Sequence, residues 1–414
     1  MKKDLDSTHV FQNGTGQQII KSLDGVAKNL STMAIAKSSQ VDITNYRHIQ
    51  RIVQLGLAKE YFQIGDQITT TWSIGGETEY GMPWDVVDFG PVTDPDGVVH
   101  ENAMWLESHY ALPIMRFDQS EAFYVALEEM PAGTYHFSFN ETITSIIPAN
   151  TPIMFTLTKA VPSGGMLILG TGVNDVAPLS APMTDWRVRV YANGAQADPD
   201  EVVEVSQGDD GTDLGIISIN TPYGQYGLNN TYRLYGYNRW SQSAIRQWLN
   251  SDKPAGEWWK QQNPFDRGPE QRTTIRGFMA CLPAEFLTIV KPVKVATALN
   301  TLSDKVFGES ESTIDRFFLA SLEQEYVAPR WHGEGKAFKY WVDRLGMEHK
   351  TGSANKRAEH IRYIITNYSY ATNVRFRSAT IDRPSSVYRV GPDGTVSSPF
   401  ACNAYGSCPC CVIY

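Results

Sequence analysis

The sequence predicts an α+β protein in which strands outnumber helices, and three observations carry that expectation. Short runs such as "AGTYHFSFN", "TPIMFTLTKA", "WRVRVYA" and "LGIISI" alternate apolar with polar residues, the period of two that turns one side of a strand toward a core. The 33 glycines and 22 prolines fall between such runs, as turns do in sandwich-like folds. Helical spacing is confined to a few short segments. A chain of 414 residues, 42% hydrophobic and 20% charged, can bury a large core and form two or three domains.

The first segment, 1–58, reads as an arm followed by two helices. Ile19, Leu23, Val26, Leu30 and Met33 are spaced by four and three residues, an a/d seam about two heptads long. Ile20, Ala27 and Ala34 widen the seam, and Gly25 weakens the helix. A seam of this kind ahead of β-rich domains predicts a homo-oligomer, with a trimer favoured. A second helix is expected over Thr44–Leu55, capped by Asp42 or Thr44 and stopped at Gly56, with Tyr46, Ile49 and Val53 on its apolar face.

Strand character follows over 59–125, with Asp94-Pro95-Asp96-Gly97 as a turn. Residues 126–230 read as an all-β sandwich. Mixed helix and strand return over 231–414. There, "GYNRWSQSAIRQWLNS" (236–251) places Ile245, Trp248 and Leu249 in one stripe, with Gln242, Arg246 and Gln247 on the wet side. Ser241 or Ser243 caps this helix and Asn250 and Ser251 end it. Trp248 is therefore expected in the core.

Charge and patterning exclude several classes. A net charge of −9, with no long basic run, argues against nucleic acid as a partner, because phosphate binding needs clustered Lys and Arg. No apolar run reaches the length of a membrane span. The first residues lack the apolar centre of a secretion signal, so folding in a cytoplasm is expected. Four of the five cysteines, Cys402, Cys408, Cys410 and Cys411, are too closely crowded for a standard zinc site and read as small buried thiols of a terminal core strand. No metal and no cofactor is expected.

Three stretches carry a resemblance. "YFQIGDQI…PWDVVDFG…AMWLESHYAL", "NRWSQSAIRQWLNS" with "TIDRFFLASLEQEY", and "VRFRSATIDRPSSVYRVGPDGTV…ACNAYGSCPCCVIY" resemble a bacterial and phage domain family of unknown function with a C-type-lectin-like fold, related to the formylglycine-generating-enzyme and tropism-determinant type. "NYRHIQRIVQLGLAKEYFQIGDQI" is similar to the start of virion proteins of tailed phages of gut bacteria. The resemblance implies a C-type-lectin-like domain in two parts, 59–125 and 231–414, with the β-sandwich of 126–230 inserted between them. It also implies a strand-to-helix segment at Thr313–Tyr326. The function it implies is that of a structural virion protein, a head fibre or tail-associated protein, assembled in the host cytoplasm. Its partners would be other copies of itself, other capsid or tail proteins, and a host-surface glycan or protein.

Chemistry-bearing motifs are few. The tripeptides that hold calcium in sugar-binding lectins are missing, and no other run supplies the converging oxygens that calcium needs. "HGEGK" (332–336) lacks the spacing of a phosphate loop, and neither G-x-S-x-G nor H-E-x-x-H occurs. Glu323 and Glu325, two apart on the expected helix, would not share a face. The reading is a non-enzyme. The long loops before the last strands are the expected contact surface, with Trp331, Tyr340, Trp341, Tyr368, Tyr370, Asn373, Arg383 and Tyr405 supplying contact area and adaptable hydrogen bonds. The alternatives are capsid decoration without a receptor, and an enzyme of the formylglycine-generating type that binds copper through the C-terminal cysteines. The heptad seam is directly testable: Leu23→Asp with Leu30→Asp is expected to reduce the oligomer mass in light scattering, and an unchanged mass would remove this helix as the assembly seam.

Overall fold

The computed structural model describes residues 42–75, 78–119, 121–126, 128–139, 147–171, 183–192, 199–217, 228–229, 232–233, 236–262, 266–299, 310–327, 333–345, 358–380 and 383–414. The heptad residues Ile19, Leu23, Val26, Leu30 and Met33 lie outside them. The first element is helix α1 (Tyr46–Gln54), followed by the single turn α2 (Ala58–Tyr61). Asn45, not Asp42 or Thr44, caps α1, accepting hydrogen bonds from the amides of Arg47 and His48. Asp42 closes its own tight turn instead, accepting from the Thr44 amide at 2.9 Å, a local bond that competes with helix entry. Gly56 follows the helix at φ +70°, the left-handed position that favours glycine.

The strands then run β1 (Gln67–Trp72), β2 (Tyr80–Thr93), β3 (Val99–Ser108) and β4 (Leu112–Arg116). Next come β5 (Glu121–Ala126), β6 (Gly133–Phe139), β7 (Ile153–Leu157), β8 (Met166–Thr171) and β9 (Trp186–Tyr191). They are followed by β10 (Glu201–Glu204), β11 (Ser206–Gln207), β12 (Thr212–Ile217), β13 (Leu228–Asn229) and β14 (Tyr232–Arg233). Helices α3 (Ala244–Leu249) and α4 (Ala284–Ile289) precede β15 (Val293–Ala298), β16 (Ser310–Asp315) and β17 (Phe317–Leu319). Helix α5 (Lys339–Leu345) leads to β18 (Arg362–Ile364), β19 (Asn367–Thr372), β20 (Val374–Ala379) and β21 (Val387–Val390). The chain ends with β22 (Val396–Ser397), β23 (Ala404–Ser407) and β24 (Pro409–Ile413). Strands dominate, in several sheets, so the protein is a β-rich α+β fold.

The central sheet has the order β1-β2-β3-β24-β17 and is antiparallel throughout. The β2–β3 hairpin turns where the sequence puts Asp94 to Gly97: the Asp94 amide donates to the Val98 carbonyl and Gly97 takes φ +89°. One face of the sheet packs under helices, with Trp84 against Phe286 (5.3 Å between ring centres) and Tyr46 against the same ring (5.5 Å). On the other face Trp105 meets Phe318 and, from the α5 segment, Phe338.

A second core lies between two further sheets, β10-β9-β8-β5-β13 and β11-β7-β6-β12. Phe137, Phe139, Phe155 and Leu157 of one interleave with Leu167, Leu169, Trp186 and Val188 of the other. Strand β5 begins at Glu121 and pairs with β8, and β14 pairs back to β5 as far as Arg233, so this unit extends a few residues beyond 126–230 at both ends. A fourth sheet has the order β22-β21-β20-β23-β4. Its Arg375 is buried without a carboxylate partner among the described residues, and burial pushes its pKa down to about 9. The guanidinium donates to the carbonyls of Phe400 (2.7 Å) and Asn403 (2.8 Å). Between these two, Cys402 enters the sandwich core.

The segment after β17 turns rather than forming the expected helix. Ser321 and Gln324 bond each other locally, each side chain accepting from the other's amide, and Tyr326 sits at φ +55°; such bonds offer the backbone an alternative to a helix. Helix α3 forms as its stripe demands, with Ser243 as the cap and Trp248 buried. Its anchor is the buried Asp315, which accepts from Trp240 Nε1 (2.9 Å), Thr313 Oγ1 (2.6 Å) and Arg246 Nε (2.7 Å). Asn250 ties the other end to β17, donating to the Phe317 carbonyl and accepting from the Arg316 amide. Removing one member of a buried ion pair typically costs about 3–5 kcal/mol. Asp315→Ala is therefore expected to lower the urea unfolding free energy by about that amount, whereas a change under about 0.5 kcal/mol, the range of a neutral surface substitution, would rule out this anchor.

Candidate binding site

The central sheet carries an unusual row of side chains. Gln67, Asp85, Glu107 and Cys410 are direct neighbours across β1, β2, β3 and β24. Asp85 and Glu107 are each 1% exposed, and two adjacent buried carboxylates demand compensation. It comes from the C-terminal half. Arg362 at the start of β18 reaches Glu107 with Nη2 3.5 Å from Oε2, and its guanidinium lies over the Trp341 ring. The other face of that indole is accounted for by His360, stacked 4.1 Å from it at 10°. His360 donates through Nε2 to the Glu325 carbonyl oxygen (2.8 Å).

Electrostatics assign roles within this cluster. Burial, followed by repulsion from Glu107, pushes the Glu325 carboxyl well above the usual carboxylate range. Glu325 therefore holds its proton tightly and hydrogen-bonds Glu107, whose own carboxyl is raised by burial, with the Arg362 charge and the Glu325 hydrogen bond pulling the other way. Asp85 behaves in the opposite way. Burial would raise it, but hydrogen bonds from His109 and Gln67 and the charge of Arg362 outweigh burial and hold it below the usual range. Its partners are His109 Nδ1 at 2.9 Å, Gln67 Nε2 at 2.8 Å and the Tyr340 hydroxyl at 3.3 Å.

The cluster opens to solvent through His109, whose ring stands edge-on to Tyr110 (4.8 Å). Tyr110 in turn packs against Tyr368 (4.6 Å) on β19. Tyr368 is 50% exposed, Tyr370 62% and Tyr363 42%. The β18–β19 hairpin thus carries an exposed aromatic ridge, Tyr368 and Tyr370 on one face, with Tyr363 paired to Ala371 on the other face, and its root, Arg362, is buried in the charge cluster. Large, flat, amphipathic side chains held on a rigid base are suited to contact a partner's surface.

The residues expected at the contact surface separate into groups. Tyr368 and Tyr370 stand on the ridge. Tyr340 and Trp341 do not: both are buried on the inward face of α5 and support the site from beneath. Tyr405 is half-buried, its ring beneath the guanidinium groups of Arg375 and Arg389, so it serves the fourth sheet. Arg383 is exposed and Asn373 half-buried, neither on the hairpin, and Trp331 lies outside the described residues. Glu323 and Glu325 are not on a helix, and Glu325 belongs to the buried cluster. Tyr363, Tyr110 and the acidic residues behind them were not among the expected contacts. The available signal was Asp85 and Glu107, acids set inside the apolar runs "PWDVV" and "MWLES".

Cys402, Cys408, Cys410 and Cys411 are all buried, and none of them is in a disulfide. Burial raises the thiols of Cys408, Cys410 and Cys411, which disfavours the thiolate needed for attack or metal ligation. Among the described residues no group of three or more His, Cys, Asp or Glu side chains is placed to hold a metal ion, and no helix is long and apolar enough to cross a membrane.

Residues 219–414 match the model of a domain of unknown function, DUF6273. No curated protein and no solved structure matches the chain. The matched segment contains Glu325, Trp341, His360, Arg362 and the ridge tyrosines of β18–β19. Asp85, Glu107, His109 and Tyr110 lie before it, so the site is assembled from inside and outside that segment.

A carboxyl raised in the folded state binds its proton more tightly there than when unfolded. Its contribution to stability is thus full below the unfolded pKa and is lost as pH rises through the folded one. Glu325→Gln removes that loss. Relative to the parent, the variant is expected to gain stability as pH rises above about 4.5, by about 1.4 kcal/mol per unit until the folded pKa is reached. Urea melts at several pH values check this, and a pH-independent difference would show that Glu325 is ionised in the fold.

Proposed function

We propose that this protein is a tailed-phage virion component whose C-type-lectin-like domain, carrying the β-sandwich insert, attaches to a host-surface glycan or protein. The observation that carries the reading is the β18–β19 ridge, with Tyr368 and Tyr370 exposed and their hairpin rooted in a buried ion cluster. Grouped exposed aromatics mark interaction surfaces, and partner-binding surfaces are enriched in them. The fold is compatible with the lectin-like part of the reading. Strand β24 returns beside β3, so two stretches separated by the sandwich insert share one sheet.

Asp85, Glu107 and Glu325 are each engaged by protein partners, which makes the cluster a support for the ridge rather than a set of acids awaiting substrate. This favours adhesion over catalysis. The test uses purified, fluorescently labelled protein on intact cells of candidate gut bacteria. Strain-specific binding is expected, falling about tenfold or more in a Tyr368→Ala, Tyr370→Ala variant, the loss typical of hot-spot aromatics. Both side chains are exposed, so the fold is expected to survive. Absence of binding to every host of the phage would move the assignment to capsid decoration without a receptor.

A further inference from the structure

A cavity of about 210 Å³ lies away from the ridge, where β2 and β3 meet the segment leading into α5. It is smaller than the roughly 300–1,000 Å³ of sites for drug-sized ligands, which limits it to about one ring. Its walls follow from the sheet register. A bulge between Val86 and Asp88 pairs Asp88 directly with Trp105, and bulges re-aim side chains in this way. The Asp88 carboxylate is fixed by the amides of Phe89 (2.8 Å) and Lys339. The Trp105 indole is held edge-on by Phe318 (6.1 Å, 82°) and tilted against Phe338 (5.7 Å).

The opposite wall is polar. Gln324 accepts with Oε1 from the Ser321 amide and from Arg377 Nη1, which commits its carbonyl end and leaves the amide NH₂ beside Gly335. A side chain at Gly335 would begin 3.1 Å from that nitrogen. With φ at +117°, the position favours glycine on both counts and stays open. Lys336, exposed at the rim, lies close enough to act on the Asp88 charge.

We infer that this cavity binds a single pyranose ring, with the ring's C–H face on Trp105 and its hydroxyl groups shared between Asp88, the Gln324 amide and Lys336. A flat aromatic wall beside one fixed acceptor and two donors matches a ring that is apolar on its faces and hydroxylated at its edge, and no part of the cavity offers two separated charges of one sign. The inference deepens the adhesion reading and rests on it for the source of the ring, a host-surface glycan.

The test is a ¹H–¹⁵N titration of the full chain with glucose, galactose, rhamnose and N-acetylglucosamine, following the Trp105 indole resonance, which is assigned by its loss in Trp105→Phe. At least one sugar is expected to shift that resonance saturably, with a Kd on the order of millimolar. Asp88→Asn is expected to weaken the binding about tenfold, as loss of a charged hydrogen-bond acceptor does. Lys336→Ala, at an exposed position that leaves folding intact, is expected to weaken it as well. No shift with any of the four sugars, a shift left unchanged in both variants, or a response to free amino acids instead would overturn the inference. The parent protein separates the two readings: sugar binding without binding to any host cell overturns the adhesion reading alone, and cell binding without any Trp105 response overturns the pocket alone.

Discussion

Asp85 and Glu107 stand side by side across the central sheet, and the cost of burying two carboxylates there governs the surroundings. Each ion taken out of water carries a penalty of several kcal/mol unless partners replace the lost hydration. The partners arrive from separate parts of the chain: His109 just past β3, Gln67 on β1, Tyr340 on α5 and Arg362 at the root of β18. Because every one is needed, the cluster fixes the positions of the elements that bring them. Helix α5 brings Trp341 into contact with both the Arg362 guanidinium and the His360 ring. The hairpin begins beside Glu107, and its Tyr368 packs on Tyr110. The exposed ridge is positioned by charge buried beneath it.

A comparable logic operates between the fourth sheet and the sandwich. Arg375 has no carboxylate partner among the described residues and is satisfied by carbonyls of the Phe400–Asn403 loop. That loop also receives Arg116 through the Cys402 carbonyl (2.9 Å) and sends the Cys402 side chain into the sandwich. A buried cation thus holds a short connection rigid, and the connection couples the insert to the rest. Tyr405, stacked by two arginines, belongs to this joint and is removed from the contact surface.

Local features were legible in the sequence and distant ones were not. The Ser243 cap, the Trp248 stripe and the Asp94–Gly97 turn depend on residues within a few positions of one another, where spacing alone carries the information. Glu107 and Arg362 are neighbours only through the fold, and nothing in either local stretch announces the other. Tyr340 and Trp341 were expected in a variable loop because aromatics near a C-terminal end suggest contact. Their helix did carry a contrary signal: Lys339 and Asp343 form an i,i+4 pair on the outer face (2.7 Å), which leaves the tyrosine and tryptophan facing inward. The ridge and its neighbours were half visible, since Tyr368 and Tyr370 were marked but Tyr110 and Tyr363 were not.

Strand β24 occupies the middle of the central sheet, between β3 and β17, yet Pro409 follows Ser108 by roughly 300 residues. Closing so long a loop comes at an entropic cost before any contact repays it, and long-range pairings of this kind slow folding. Until β24 docks, β3 presents an open edge with unpaired amides and carbonyls, the kind of edge that captures strands from other molecules. The sandwich strands pair among themselves, and only Cys402 and Phe400 of the late segment join their core. The longer the half-built sheet waits, the greater the danger of cross-pairing between folding chains at that edge.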